Sequence, residues 1–361
     1  MATKRASGSA GVRKYLGLQI LRITAAFLVL VTHATFYASE RLDRHFGIWR
    51  EGGGAGVEIF FVLSGFVMIY SSTKIMNDLN GWKIFAERRI VRIVPIYWIA
   101  TSIKLLVLLL TTGYVLHAKF NVVQTLDSFF FLPARNSEGG IGPVLGVGWT
   151  LNFEMLFYFL FTLALFFRLN VYKVVGTVLA LLALGAFFRQ ATWPSVSFYL
   201  NKMVLDFFYG MVIAKLCLRG KHIPRYIAIP LLGLGFFALL APSVSLGYLE
   251  GLPYYGIAAA LIVYSMASLE DSLTRVPRFI LYMADASYAI YLFHPFIAPI
   301  LPVVLMRFHL LYPWLSVFCS VSLALAGGCL VHLLIENPIA RWFRGHLLVG
   351  GKKVIHPVAT V

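Results

Sequence analysis

Arg22 and His33 stand eleven residues apart inside one long apolar segment, 16–37. On a helix, eleven steps of about 100° return to within about 20° of the starting face, so both side chains lie on one stripe. A rise of about 1.5 Å per residue separates them by roughly 16 Å, about half the hydrocarbon thickness of a bilayer. Ionisable groups at membrane depth are costly and mark functional sites by default. The pair predicts a polar path running inward from one side of a membrane.

Glu58 opens the second apolar segment, and Glu154 lies about one turn into the fourth. Both are expected in the outer third of the bilayer, where His33 also falls. A histidine within reach of a carboxylate is a general base whose tautomer the carboxylate can set. The same groups could simply satisfy one another as buried polar packing. Arg88, Arg89 and Arg92 precede the third segment at spacings of three and four, which gathers guanidiniums on one helix face. Their planar forks suit phosphate oxygens, although a cytoplasmic flank alone also explains basic residues there. His294 shares a face with Ser287 and Tyr291 and precedes Pro295, so it can serve a site or satisfy backbone freed by the proline. Asp206 and Lys104 are further in-membrane charges without an assignable role. Ser64, beside Gly65, reads as a close helix contact, because the strand–turn–helix setting of a hydrolase nucleophile is missing.

These residues need a membrane bundle to position them. The 361-residue chain is 60% hydrophobic and 13% charged, more apolar than a soluble core of this size requires. Apolar stretches of spanning length fall at 16–37, 56–72, 91–112, 149–168, 171–188, 198–218, 225–241, 254–269, 280–306 and 313–335, with a break expected in the ninth near Pro295 or Pro299. The expected architecture is therefore an all-α polytopic bundle of about ten transmembrane helices. Lys and Arg crowd alternate connections, as at Lys74, Lys83 and the Arg88–Arg92 cluster or at Lys215, Arg219, Lys221 and Arg225. The other side holds few, among them Arg41, Lys119 and Arg189. By the positive-inside rule both termini are cytoplasmic. The net charge of +16 thus reflects topology and anionic lipid headgroups rather than nucleic acid.

The first segment is too long for a cleaved signal and carries Arg22, so it is expected to stay as an anchor. A cytoplasmic tail over 1–15, a single membrane domain over 16–338 and a cytoplasmic tail over 339–361 complete the expected organisation. Cys217, Cys319 and Cys329 form neither a disulfide framework nor a metal pair, and no metal site is expected. The longest connection, 113–148, lies outside. It holds an amphipathic run over 122–132 and a Gly-rich stretch over 139–143, and is either plain linkage or a mobile cover over an outward-facing site.

Several stretches together resemble the acyltransferase-3 membrane family. They are Leu18 to Arg22 running on to His33, Gly56-Val57-Glu58-Ile59-Phe60-Phe61 through Ser64-Gly65-Phe66, Arg89-Ile90-Val91-Arg92, Trp149-Thr150-Leu151-Asn152-Phe153-Glu154, Ser287-Tyr288 through His294, and Glu336-Asn337-Pro338. Their order spans nearly the whole chain, and the exopolysaccharide and O-antigen acetyltransferases of the family are the most similar in character. The resemblance implies cytoplasmic acyl-CoA as donor, acetyl-CoA in particular, and a hydroxyl of a cell-envelope polysaccharide or lipid-linked glycan as acceptor. It also implies functional weight on Arg22, His33, Arg89, Arg92 and Glu154, and a place in a bacterial cytoplasmic membrane. Many relatives carry Asp where this chain has Glu58, and the fused esterase-like domain of some relatives has no counterpart here.

On that footing Arg89 and Arg92, with Arg88 beside them, are expected to hold the cofactor's phosphates, and Arg22 to line the path of the pantetheine arm. His33, oriented by Glu154, is expected to act as general base or, in a variant, to carry the acyl group. Glu58 and His294 complete the expected substrate-binding set. The rival class is a secondary transporter with His33 and Glu154 as a proton relay.

Overall fold

The computed structural model describes residues 15–42, 54–110, 120–240 and 254–346. Among them the chain is helical throughout, and the single β-bridge, Arg135 to Ile141, closes a turn rather than a sheet. In chain order the helices are α1 (Leu16–Leu42), α2 (Gly54–Ser72), α3 (Gly81–Leu110), α4 (Val122–Phe129), α5 (Trp149–Phe166), α6 (Val171–Gly185) and α7 (Val204–Leu218). There follow α8 (Arg225–Leu240), α9 (Tyr254–Ser268), α10 (Arg278–Asp285), α11 (Ser287–Ile297), α12 (Ile300–Arg307), α13 (Pro313–Val331) and α14 (Asn337–His346). Each expected apolar segment is met by helix, and among the described residues six helical stretches, one of them α11 with α12 and another α13 running on into α14, are long and apolar enough to cross a membrane. The exposed apolar side chains, Leu106, Leu109, Phe166, Leu181, Phe237, Phe318 and Leu330 among them, form the outer surface that a bilayer covers. The protein is a multi-pass membrane protein.

Two helices sit at the centre. α2 packs against α1, α5, α7 and α9, while α1 also meets α10 to α13. Apolar packing gains little from lipid exclusion, so close backbone approach has to hold such helices together. Gly65 lies against the Phe207 backbone of α7, and Gly210 of α7 lies against the Val62 and Phe66 backbone of α2. A methyl group at either position would strike main chain, which cannot give way. Beside this seam Phe61, Phe207 and Phe157 stack, with centroid separations of 4.5 and 4.6 Å.

Three boundaries differ from expectation. α3 starts at Gly81, ten residues before its apolar run, so Arg88, Arg89 and Arg92 lie within the helix instead of preceding it. The ninth segment has the expected break near Pro299, at Ala298 and Pro299 between α11 and α12, and an unexpected one at Ala286 between α10 and α11. Pro295 is carried inside α11. After α13 the helix passes through a π-helical turn at His332–Glu336 and continues as α14, so it runs through the expected boundary at 338.

The long 113–148 connection is built into the bundle. Residues 113–119 lie outside the described residues, but α4 forms where the amphipathic run predicts it, capped by Asn121 Oδ1 on the Gln124 amide at 3.0 Å. Beyond it Phe131, Leu145 and Val147 are buried. Gln124 Nε2 donates to the Gly142 carbonyl at 2.9 Å, and the Val144 amide donates to Ser128 Oγ at 2.9 Å. Arg135 donates to the carbonyls of Gly139, Ala191 and Trp193. These bonds make the 120–148 part of the connection a plug fastened to the bundle, because buried main chain must be paired.

At the other end of α1 the two first amides are capped from far along the chain. Glu270 Oε1 accepts from Leu16 N at 2.7 Å, and Oε2 accepts from Gly17 N at 2.9 Å. A carboxylate on two orphan N–H groups and the positive end of a helix is a charge-assisted clasp. Replacing Glu270 by Ala is expected to cost about 1–3 kcal/mol, seen as a lowered thermal midpoint of the detergent-solubilised protein. An unchanged midpoint would mean that the clasp holds nothing.

Candidate functional site

A cavity with about 770 Å³ of empty volume, open solvent included, lies between α1, α2, α3, α5 and α11. Arg22 from α1, Arg89 and Arg92 from α3, and Glu154 and Tyr158 from α5 line it, together with Ser64 of α2 and Ser287, Tyr288 and Tyr291 of α11. Apolar walls come from Val57, Phe60, Phe61, Leu63, Val67 and Ile93. Three guanidiniums thus face a chamber that holds one carboxylate.

Each cation is held by a different device. Arg22, 6% exposed, is within 3.5 Å of Gln19 Oε1 through Nη1, and lies within electrostatic reach of Arg92, Asp285, Glu336 and Glu154. Arg89, equally buried, donates from Nη2 to Ser71 Oγ at 3.1 Å and rests over the rings of Phe85 and Tyr158 at 5.6 and 5.9 Å, the stacked geometry that a guanidinium tolerates in a dry site. Arg92, three residues on, shares the chamber face of α3. Arg88 is half-buried and does not line the chamber.

Glu154 is fixed from two sides. Its Oε1 accepts from Ser64 Oγ at 3.2 Å and from the Tyr158 hydroxyl. Ser64 stands at the middle of the 19-residue α2, so Glu154 sits level with the middle of that helix, among the arginines.

His33 consequently does not pair with Glu154. Its Nδ1 lies 2.9 Å from the Val29 carbonyl, which assigns the proton to Nδ1 and leaves the Nε2 lone pair available. Its neighbour is His294, whose ring centroid is 4.8 Å away, edge-on. His294 is fully buried, and neither ring nitrogen has a partner of good hydrogen-bond geometry, although the Ile290 and Tyr291 carbonyls are close. The histidine pair stands behind Tyr291, whose ring is 6.0 Å from His294 and 5.7 Å from Phe60. The Tyr291 hydroxyl donates to the Val147 carbonyl at 2.9 Å and lies 2.8 Å from Thr150 Oγ1. Of the helical stripe expected to line one conduit, Arg22 faces the chamber and His33 lies beyond its outer wall.

Glu58 faces away from the chamber toward Asp206 of α7, in a second cavity. Sequence reasoning gave Asp206 no role and took Ser64 as a packing contact. Gly65 makes that contact, and Ser64 binds Glu154. Tyr158 was missed, although its place four residues after Glu154 puts it on the same face. At the end of α13 His332 donates from Nδ1 to Glu336 Oε2 at 2.7 Å and accepts at Nε2 from Asn337 Nδ2 at 3.0 Å. The π-turn thereby brings the Glu336-Asn337 signature around one buried histidine.

A chamber of arginines beside a fixed carboxylate, with a histidine pair at its far wall, suits an anionic donor and a proton-accepting step. The acyltransferase-3 family model, described as an acyltransferase domain, matches residues 15–333. The chain belongs to this family. It is also 34% identical over 333 residues to the exopolysaccharide production protein ExoZ of Rhizobium meliloti (strain 1021), a match covering 88% of this chain and 97% of that protein. No solved structure matches. Six of the eight residues expected at the site fall in two groups, Arg22, Arg89, Arg92 and Glu154 in the chamber and His33 with His294 behind it. Arg88 and Glu58 lie apart from both.

The shared acceptor at Glu154 gives a direct test. Tyr158→Phe and Ser64→Ala should be non-additive in a thermal-stability cycle, with a coupling of about 0.5 kcal/mol or more. Strict additivity would show that the two hydroxyls do not act on one oxygen.

Proposed function

We propose that this acyltransferase moves an acetyl group from acetyl-CoA, supplied from the cytoplasm, to a hydroxyl of a cell-envelope polysaccharide or its lipid-linked precursor. The observation that carries the reading is the clustering of three guanidiniums in one chamber, with His33 and His294 behind its Tyr291 wall. The polysaccharide acceptor is supported by the likeness to an exopolysaccharide production protein. The chain would cross a bacterial cytoplasmic membrane ten times with both termini inside, the topology that its Lys and Arg placement favours.

In this scheme Arg89 and Arg92 bind the cofactor's phosphates. Arg22, further into the bundle, steadies the chain that carries the thioester. His33 receives the acceptor's hydroxyl proton at Nε2, the nitrogen left basic by the Val29 bond. The new ester C–O bond forms as the thioester C–S bond breaks, and the proton passes from the imidazole to the departing thiolate. His294 flanks His33 in a pocket with few polar partners. Glu154, fixed by Ser64 and Tyr158, balances part of the positive charge that the donor otherwise meets. Membership of an acyltransferase family supports this scheme over export by a proton relay.

His33→Ala, at normal membrane abundance, is expected to lower glycan acetylation by about 10²–10⁴-fold, the usual contribution of a general base, as read by mass spectrometry of surface glycans. Near wild-type acetylation would remove His33 from the chemistry. Arg89→Ala and Arg92→Ala are expected to abolish the rise in thermal midpoint that coenzyme A gives the purified protein. An intact rise in both would move the phosphate site elsewhere.

A further inference from the structure

The second cavity, with about 500 Å³ of empty volume, lies at the converging N-terminal ends of α2, α7 and α9. Glu58, Asp206, Asn201, Lys202 and Tyr255 line it, with Gly256 at its floor. Asp206 is 1% exposed, and neither of its oxygens meets a hydrogen-bond donor group of the protein. Glu58 faces it, carboxyl to carboxyl, within hydrogen-bonding reach. Even if one hydrogen bond is shared across the pair, an Asp206 oxygen still lacks a donor. A buried acceptor without a donor costs about 1–3 kcal/mol, so the site calls for a ligand that brings hydroxyl hydrogens.

The other walls narrow the ligand. Asn201 Oδ1 is occupied by the Met203 amide at 3.0 Å, which leaves its NH₂ group to donate outward. Lys202, whose ammonium also rests over the Phe187 ring at 4.6 Å, puts a cation on the same wall and disfavours a cationic guest. Among the described residues no group of three or more His, Cys, Asp or Glu gathers to hold a metal ion, and two carboxyls fall well short of a calcium shell. Tyr255, paired with Tyr254 at 3.9 Å between centroids, offers a flat apolar face. Carboxyl acceptors, an amide donor and an aromatic plate together match a polyol. A side chain at position 256 would run into Asp206 Oδ1, so Gly256 keeps the carboxyl in place and the cavity open.

The cavity lies close to the proposed chemistry. Gly56, two residues before Glu58, packs against the Ala25 carbonyl and Val29 of α1, and Val29 is the residue that holds the His33 ring. Val57 faces the arginine chamber while Glu58 faces this one, so α2 separates the two. We propose that the Glu58–Asp206 cavity is a carbohydrate subsite, which holds one sugar unit of the acceptor while another unit presents its hydroxyl to His33. The second half of this statement rests on the acyltransferase reading given above.

The probe is oligosaccharide cut from the host's own surface polysaccharide and stripped of esters by mild alkali. Its binding to full-length protein in nanodiscs is followed by saturation-transfer NMR, and its acetylation is followed with labelled acetyl-CoA. Asp206→Asn, Glu58→Gln and Tyr255→Ala are expected to weaken oligosaccharide binding and to raise its KM at least about tenfold, the effect of losing one good polar contact. The coenzyme A response should stay at wild-type size. Tyr255→Ala leaves both carboxyls in place and serves where a carboxyl variant does not fold. Wild-type affinity in the folded variants, or no binding by the wild type, would overturn the subsite. A wild type that binds the oligosaccharide but never acetylates it would overturn the transfer reaction and leave the subsite standing.

Discussion

Three guanidiniums inside an apolar bundle set the terms for what surrounds them. An arginine in hydrocarbon costs several kcal/mol unless its donors and its charge are answered. Arg89 is answered by Ser71 and by two aromatic faces, and Arg22 has Gln19 beside it with Glu154, Asp285 and Glu336 at longer range. Among the lining residues Glu154 alone carries negative charge, so the chamber keeps a positive surplus. That surplus makes sense where an anionic substrate visits, and it explains why Glu154 is tied by two hydroxyls instead of being free to collapse onto one arginine.

Keeping such a chamber open requires rigid walls, and the small residues of α2 supply them. Gly65 and Gly210 bring α2 and α7 into main-chain contact, and the stacked Phe61, Phe207 and Phe157 fill the space beside that seam. With α2 locked, Ser64 is placed against Glu154 and Glu58 against Asp206, both set by the helical register. The Glu270 clasp fixes the start of α1 from the other side of the bundle, and with it the rotation that points Arg22 inward.

The sequence made much of this legible. Apolar length placed the helices, and the spacing of Arg89 and Arg92 put both on one face of α3. The resemblance marked Glu154, His33 and His294. Position along the bundle was the quantity it could not supply. Counting Glu154 from the start of its apolar run puts it near that end of the bundle, but the Ser64 contact sets it level with the middle of α2, among the arginines and away from His33. The Glu58–Asp206 pair was hidden for a different reason. The partners are far apart in the chain, and helix periodicity says which way a residue faces without saying which helix it meets. Ser64 was read as a packing residue because its neighbour Gly65 is one; the two point in directions about 100° apart.

The break between α10 and α11 gives the site its last constraint. It lets α11 enter the bundle with Ser287, Tyr288 and Tyr291 turned to the chamber and His294 turned to His33. Tyr291 then stands between the arginines and the histidines, its hydroxyl held by the Val147 carbonyl and close to Thr150. On the proposed chemistry a thioester that reaches His33 must pass this ring, so the residues that pin it control how the two halves of the site communicate. Val147 belongs to the plug and Thr150 to the first turn of α5. The connection over 120–148 therefore does more than cover the bundle. Through Val147, and with Thr150 of α5, it sets the position of an aromatic ring between the arginines and the histidine pair.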